Sequence, residues 1–426
     1  MDESHPQTRK PSSWVPSLYF AEGIPYVAVM TISVIMYKRF GISNTDIALY
    51  TSYLYLPWVI KPLWSPFVDM FRTKRSWVVS MQLLIGLSLT MIALVIHLPG
   101  FFVLTLSIFW VMAFSSATHD IAADGYYMLA LPEYQQAAYN GVRSTAYRVA
   151  MVVGQGVLVV FAGLLEQSQG IATAWSITFF IIAALFLGFF VYHRVILPYP
   201  VTDRSSLESG NKKIMEEFLH TFKVFFKRKD IGRILAFLLL FRFAEAQLVK
   251  LVIPFLIDVR DKGGLGLSTE QVGVVYGTVG VIALLIGGLL GGYLISRFGL
   301  KKMLWIMVIS IHLPDVVFIY LSQVQPDNFT MINMALAVEQ FGYGFGFAAY
   351  MMFMIMVSEG EYKTAHYAIC TGIMALGMML PGMFSGWLED QIGYQNFFLW
   401  VVASTIPGFI VAAMIHISPD YGKKTM

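Results

Sequence analysis

The sequence predicts an all-α polytopic membrane protein with twelve transmembrane helices in two six-helix halves. Apolar residues fill 57% of its 426 positions and charged residues only 13%. Apolar runs of about 20 residues, the length that crosses a bilayer, recur along the whole chain. One soluble core cannot absorb this composition, with mean hydropathy at +0.66, so lipid is the expected solvent for most of the surface. Cys370 is the single cysteine, which excludes a disulfide framework and a thiolate metal site. No basic stretch is interleaved with aromatics outside the apolar runs, so no nucleic-acid partner is expected for the net charge of +3.

The runs place spans near 14–37, 47–69, 77–97, 101–124, 141–165, 172–195, 233–257, 270–295, 303–322, 331–357, 364–388 and 396–417. The first has no small-residue cleavage site behind it, so it is read as a retained helix. Three regions follow: an N-terminal half (1–195), a cytoplasmic linker (196–232) and a C-terminal half (233–426). If the N-terminus is cytoplasmic, the inner loops hold about twenty Lys and Arg, among them Arg72, Lys74, Arg75, Arg297, Lys301, Lys302 and Lys363. The outer loops then hold Lys38, Arg39, Arg260 and Lys262. This bias puts both termini in the cytoplasm, and a multi-pass protein of a cell inner membrane is expected.

In the linker, Ile214, Phe218, Phe222, Phe225 and Phe226 recur at helical spacing among lysines, the pattern of an amphipathic helix lying on headgroups. The halves repeat at an offset of about 225 residues. Gly41-Ile42-Ser43 with Asp46 opens span two, and Gly266-Leu267-Ser268 with Gln271 opens span eight; each serine is a candidate N-cap. A basic inner loop follows each of those spans. Two parallel halves around a midplane cavity is the architecture such symmetry predicts.

Three strings carry a resemblance to a known family: KPLWSPFVDMFRTKRSW (61–77), SSATHDIAADGYYML (115–129) and TAHYAICTGIMALGMMLPGMFSGWLED (364–390). They resemble the AmpG-type muropeptide permeases and the related acetyl-CoA transporters of the major facilitator superfamily. The first two strings are shared by both branches, whereas the third is closer to the permeases. The resemblance implies the major facilitator fold and proton-linked import, by alternating access, of anhydro-muropeptides or related cell-wall fragments across the inner membrane. Its alternative is an acetyl-CoA-type or other organic-anion transporter. Glu22, in the segment FAEGIP, departs from the family pattern.

Charged side chains within spans are the informative minority: Glu22, Lys61, Asp120, Asp124, Arg143, Arg148, Arg242, Glu245, Lys250, Asp315 and Glu339. Each costs roughly 2.5–3.5 kcal/mol at a span centre, so they should line a wet cavity or pair with one another. Asp120 and Asp124 stand one turn apart, and two readings stay open for them. Either they lock onto Arg72, Lys74 or Arg75 as a gate, with Asp69, Arg72 and Arg75 as the gating group, or with Glu22 they carry the coupling proton. His119 beside them is read as a helix-surface donor. Arg148 and Gln155 share one face of span five, and Arg148 is the first candidate for an anionic substrate group, its alternative being an ion pair with Asp120, Asp124 or Glu22. Arg143 is read as snorkelling to the inner interface. Tyr26, Glu245, Glu339 and Gln340 complete the candidate substrate contacts; Arg242, one turn before Glu245, is the residue placed to neutralise it.

A membrane enzyme and a channel are the rival classes. The sequence shows no loop acidic dyad, no His-rich metal cluster and no nucleotide-binding glycine loop, so no cofactor is expected. The expected partners are a small-molecule substrate, protons and the bilayer, with the protein a monomer.

Overall fold

The computed structural model describes residues 9–204 and 214–423, and every regular element among them is helical. Nine stretches are long and apolar enough to cross a membrane. One of them, Lys363–Met414, turns at Gly393, whose φ of 72° suits glycine and divides it in two. Two more rods are interrupted: 44–71 at Leu54 and Tyr55, and 231–257 at Phe241 and Arg242. Twelve spans result. They are α1 (Pro11–Arg39), α2 (44–71), α3 (Lys74–Val95), α4 (Phe101–Ala130), α5 (133–169), α6 (Ile171–Ile196), α7 (231–257), α8 (Thr269–Phe298), α9 (Leu300–Val324), α10 (Phe329–Ser358), α11 (363–392) and α12 (394–414).

Local chemistry explains the boundaries. Ser43 accepts from the Asp46 amide at 3.0 Å, and Ser268 forms a full capping box with Gln271, so α2 and α8 start on equivalent caps as their sequences predict. Two breaks involve proline: Pro57 follows the gap in α2, and Pro314 lies in the irregular turn Leu313–Asp315 of α9. Ala28–Ile32 of α1, Val153–Val157 of α5 and Gly273–Gly280 of α8 widen into π-helical turns.

By packing, the chain forms two compact units. The first takes residues up to Ile32, then Leu63–Gly154 and Leu164–Phe218. Trp14, Leu18, Tyr19, Val78, Ala123 and Tyr126 form one of its cores. The second takes Leu219–Met426 together with Ser33–Pro62 and Gln155–Gly163, and Phe237, Phe241, Met307, Tyr350 and Phe353 anchor its core. Outward positions such as Val103, Leu289 and Phe384 are 64–67% exposed, as lipid-facing residues must be.

The linker helix is present at Ile214–Phe226. Phe225 is buried in the second unit's core, whereas Leu219 and Phe226 are exposed. Arg228, just beyond it, bonds the carbonyls of Val357 and Glu359 and pairs with His366 at 2.7 Å. The segment 205–213 and the side chains of 214–218, on which part of the amphipathic reading falls, lie outside the described residues.

Candidate functional site

In the first unit the charged candidates of α1, α4 and α5 converge. The Arg143 guanidinium meets the Asp124 carboxylate at 2.7 Å, and the Tyr19 hydroxyl donates to the same carboxylate at 3.1 Å. Arg143 also lies over the Tyr19 ring at 4.4 Å and the Tyr127 ring at 5.6 Å. This corrects two expectations. Arg143 is engaged in an ion pair where snorkelling was expected, and it neutralises the carboxylate that the gate reading assigned to Arg72, Lys74 or Arg75. The packing of α5 on α4 brings the guanidinium and the carboxylate together as a partly exposed pair, the side chains 31% and 39% exposed. Glu22 is buried, Asp120 half-buried, and both are engaged by partners, so none of the three first-unit carboxylates stands alone.

Arg148 differs from Arg143. It is half-buried, receives no carboxylate among the described residues, and bonds only the Ser144 hydroxyl at 3.4 Å. Its expected alternative partners, Asp120, Asp124 and Glu22, do not form an ion pair with it. Tyr26 is half-buried and engaged, and Gln155 is 7% exposed in the π-helical turn of α5.

His119 is a further correction: it is fully buried and bonded to Gln82 at 3.0 Å rather than on a helix surface. Gln82 also meets His193 at 2.9 Å, and His193 meets Ser17 at 2.9 Å, so four helices share one polar chain. Of the gating group, Arg75 bonds the carbonyls of Arg194 and Leu197 and stacks on Tyr199, and the Asp203 carboxylate accepts from the amides of Lys74 and Arg75. Arg75 thus ties α3 to the end of α6. Arg72 is exposed, and the Asp69 side chain lies outside the described set.

The second unit contains a network that loop counting missed. Lys38, at the end of α1, pairs with Asp258 after α7 at 2.6 Å, the two side chains 10% and 13% exposed. Asn44 accepts from Lys38 at 2.7 Å and donates to Glu389 at 2.6 Å and to the Tyr394 hydroxyl at 2.8 Å, and Tyr394 donates to Asp258 at 2.7 Å. Thr45 adds two bonds to Asp390. Deeper, the Lys250 ammonium donates to the Thr51 hydroxyl at 3.0 Å and lies 5.1 Å from the Tyr55 ring centre. Close backbone approach permits this packing: a Cβ on Gly386 would sit 2.0 Å from the Asn44 carbonyl oxygen, and one on Gly277 would sit 1.8 Å from that of Gln155.

Arg242 is the charged neighbour acting on Glu245 but forms no ion pair with it. Its guanidinium bonds the Tyr343 hydroxyl and lies 4.9 Å from the Phe347 ring centre, because the α7 break turns it away from the helix that follows. Glu245, Asp315 and Glu339 instead face one another, and Gln340 donates to Glu339 at 3.0 Å.

Comparison with known proteins agrees with this architecture. The family model described as Major Facilitator Superfamily matches residues 17–355 and 248–425. The anhydromuropeptide permease of Escherichia coli is 26% identical over 422 residues, covering 95% of this chain and 79% of that protein. A putative transporter AmpG 4 of Rickettsia conorii is 25% identical over 415 residues, covering 94% and 95%. Among solved structures, a D-xylose-proton symporter superposes with TM-score 0.72 at 13% identity, covering 97% of this chain and 99% of that one. The nucleoside transporter NupG superposes with TM-score 0.67 at 15% identity, covering 95% and 98%. At such identities the structures establish the fold alone.

Proposed function

Because the chain belongs to the Major Facilitator Superfamily, we propose that it is a secondary transporter importing anhydro-muropeptides or closely related cell-wall fragments across a bacterial inner membrane. The observation that carries the anionic substrate is Arg148. An arginine on a membrane-spanning helix is costly unless something negative meets it, and its neighbour Arg143 already has Asp124 while Arg148 has no carboxylate. A muropeptide supplies peptide carboxylates for the guanidinium fork and sugar rings for Tyr26; in the second unit Gln155 and Gln340 are candidate polar contacts. Likeness to a named permease over 95% of the chain supports the same substrate class.

Alternating access follows from the second unit's polar end. With the Lys and Arg bias placing both termini inside, the Lys38–Asp258 end is external. Contacts from α1 and α2 to α7, α11 and α12 close it, so Lys38, Asn44, Asp258, Glu389 and Tyr394 act as the external gate. Arg143–Asp124, with Arg72 and Arg75 nearer the basic loop, belongs to the internal one. Uptake is proposed to be driven by protons and the protein to work as a monomer.

Counterflow in proteoliposomes tests this. Vesicles preloaded with unlabelled anhydro-muropeptide should accumulate the labelled compound transiently without a gradient, as a carrier does and a channel or enzyme does not. Preference for coenzyme A esters would place the protein on the other branch of its family, and absence of counterflow with either would reject the transport reading.

A further inference from the structure

Glu245 on α7, Asp315 on α9 and Glu339 on α10 each bring a carboxylate oxygen to within 4.8 Å of the others, and all three residues are at most 1% exposed. Both oxygens of Glu245 and both of Asp315 receive no hydrogen bond from any described residue. Glu339 receives one, from its neighbour Gln340. In the first unit Asp124 has its arginine and Glu22 leaves one oxygen unbonded, whereas here three helices present buried acceptors with almost nothing to accept. The cluster lies where the helices are broken: Glu245 stands in the first turn after the Phe241–Arg242 gap of α7, and Asp315 in the irregular turn of α9. Broken helices at membrane depth are where transporters build ion and substrate sites.

The surrounding charges do not neutralise it. Arg242 is the charged neighbour that acts on Glu245, but it forms no ion pair: one guanidinium nitrogen bonds Tyr343, the group lies over Phe347, and its Nε has no hydrogen-bond partner among the described residues. Asp315 and Glu339 have Glu245 as their charged neighbour, and Glu339 also acts on Asp315. Lys250, further along α7, donates to Thr51. His312, one turn before Asp315, lies against the Phe241 and Phe409 rings, with its Nε2 toward Gly408 of α12. The Tyr350 hydroxyl of α10 is spent on the Leu238 carbonyl, and α8 presents Gly280 to Gln340. Three like charges this close, shut from water beside one unpaired guanidinium, cannot all persist.

We infer that Glu245, Asp315 and Glu339 form a proton-binding site through which transport is driven. A proton entering from one side binds an orphaned carboxylate oxygen. The new O–H donates to a neighbouring carboxylate, which supplies the missing hydrogen bond, and the proton leaves to the other side when the carrier has turned. A proton needs only two carboxylate oxygens, and a metal cation at the same place would need about six or more oxygen ligands, which the Na+ arm of the test below checks. Glu245 and Glu339 thereby move from substrate contacts to coupling.

The inference rests on the transport reading, and the tests separate their failures. First, wild-type protein in lipid is treated with dicyclohexylcarbodiimide, an apolar reagent that adds protonated carboxyls across its N=C bond, and peptides are mapped by mass spectrometry. This needs no substrate. At least one of the three residues should be modified, more at acid than at alkaline pH and equally in Na+ and K+. No modification at any pH, or protection specific to Na+, would overturn the assignment. Second, Glu245→Gln, Asp315→Asn and Glu339→Gln are compared for counterflow and for uptake against a gradient. One charge moved through 100 mV sustains roughly fifty-fold accumulation. At least one amide variant should lose it and keep counterflow. Full accumulation by all three overturns the proposal; wild type without counterflow sinks the transport reading while leaving the labelling result intact. Should a variant fail to fold, Glu339→Asp or Asp315→Glu retains the charge and should retain pH-dependent labelling.

Discussion

At the residue scale, two arginines of one helix, five positions apart, have opposite assignments. Arg143 is held by Asp124 and two tyrosine rings, and Arg148 by one serine. Arg148→Lys keeps the charge and removes the fork, so muropeptide affinity should fall about tenfold, equivalent to roughly 1.4 kcal/mol, with thermal stability in detergent unchanged. Arg143→Gln should do the reverse and lower the melting temperature, because Asp124 then loses its counter-charge. Binding and thermal unfolding measured on the same preparations check both; unchanged affinity in Arg148→Lys removes that residue from the site. The candidates Glu22, Asp120, Asp124, Arg143 and Arg148 were legible in the sequence because a charge inside an apolar run is expensive wherever it points. Which arginine takes which carboxylate was not, since helical phase sets the two about 140° apart on α5 but does not say which side meets α1 and α4.

At the element scale, the end proposed to be external is held by short polar segments bordering α1, α2, α7 and α11. Lys38 counts as an ordinary loop lysine in the sequence, yet its ammonium is almost buried between Asp258 and Asn44. Lys38→Met would remove the pair and leave Asp258 to Tyr394 and Asn44, costing the closed end about 3 kcal/mol and shifting its equilibrium toward opening about a hundredfold. A cysteine at Thr51, fully buried beneath this end, should then react faster with an impermeant maleimide in the Lys38→Met background, with Cys370 replaced. Equal rates would show that Lys38 does not hold the gate. The caps at Ser43 and Ser268 were readable because a cap is local: one serine and a residue three positions on. The network around Asn44 joins residues about 345 positions apart and leaves no local trace.

At the scale of the whole molecule, topology follows from the charge bias. In a background lacking Cys370, a single cysteine at Lys262 should react with an impermeant reagent applied to intact cells. One at Lys423 should react only after the membrane is opened. Labelling of both from outside would reject the twelve-span arrangement with both termini inside. The span edges read from apolar runs agree with the structure to within a few residues, except where α4 and α5 continue as helix into polar sequence, to Ala130 and from Glu133. Hydropathy detects lipid contact; a helix needs only continued backbone bonding and runs on past it.

The amino-acid sequence by itself determined that the chain lives in a bilayer and where its spans lie, because these depend on solvation and caps, which act over a turn or a run of residues. It also determined which charged residues had to find partners. Tertiary structure alone decided the partnerships: Arg143 with Asp124, Lys38 with Asp258, and three carboxylates from α7, α9 and α10 brought together without a counter-ion. Those choices depend on how helices rotate and break, at Arg242 and at Pro314, when their apolar faces pack. No local rule relates Glu245, Asp315 and Glu339, which share neither a helix nor a repeat position.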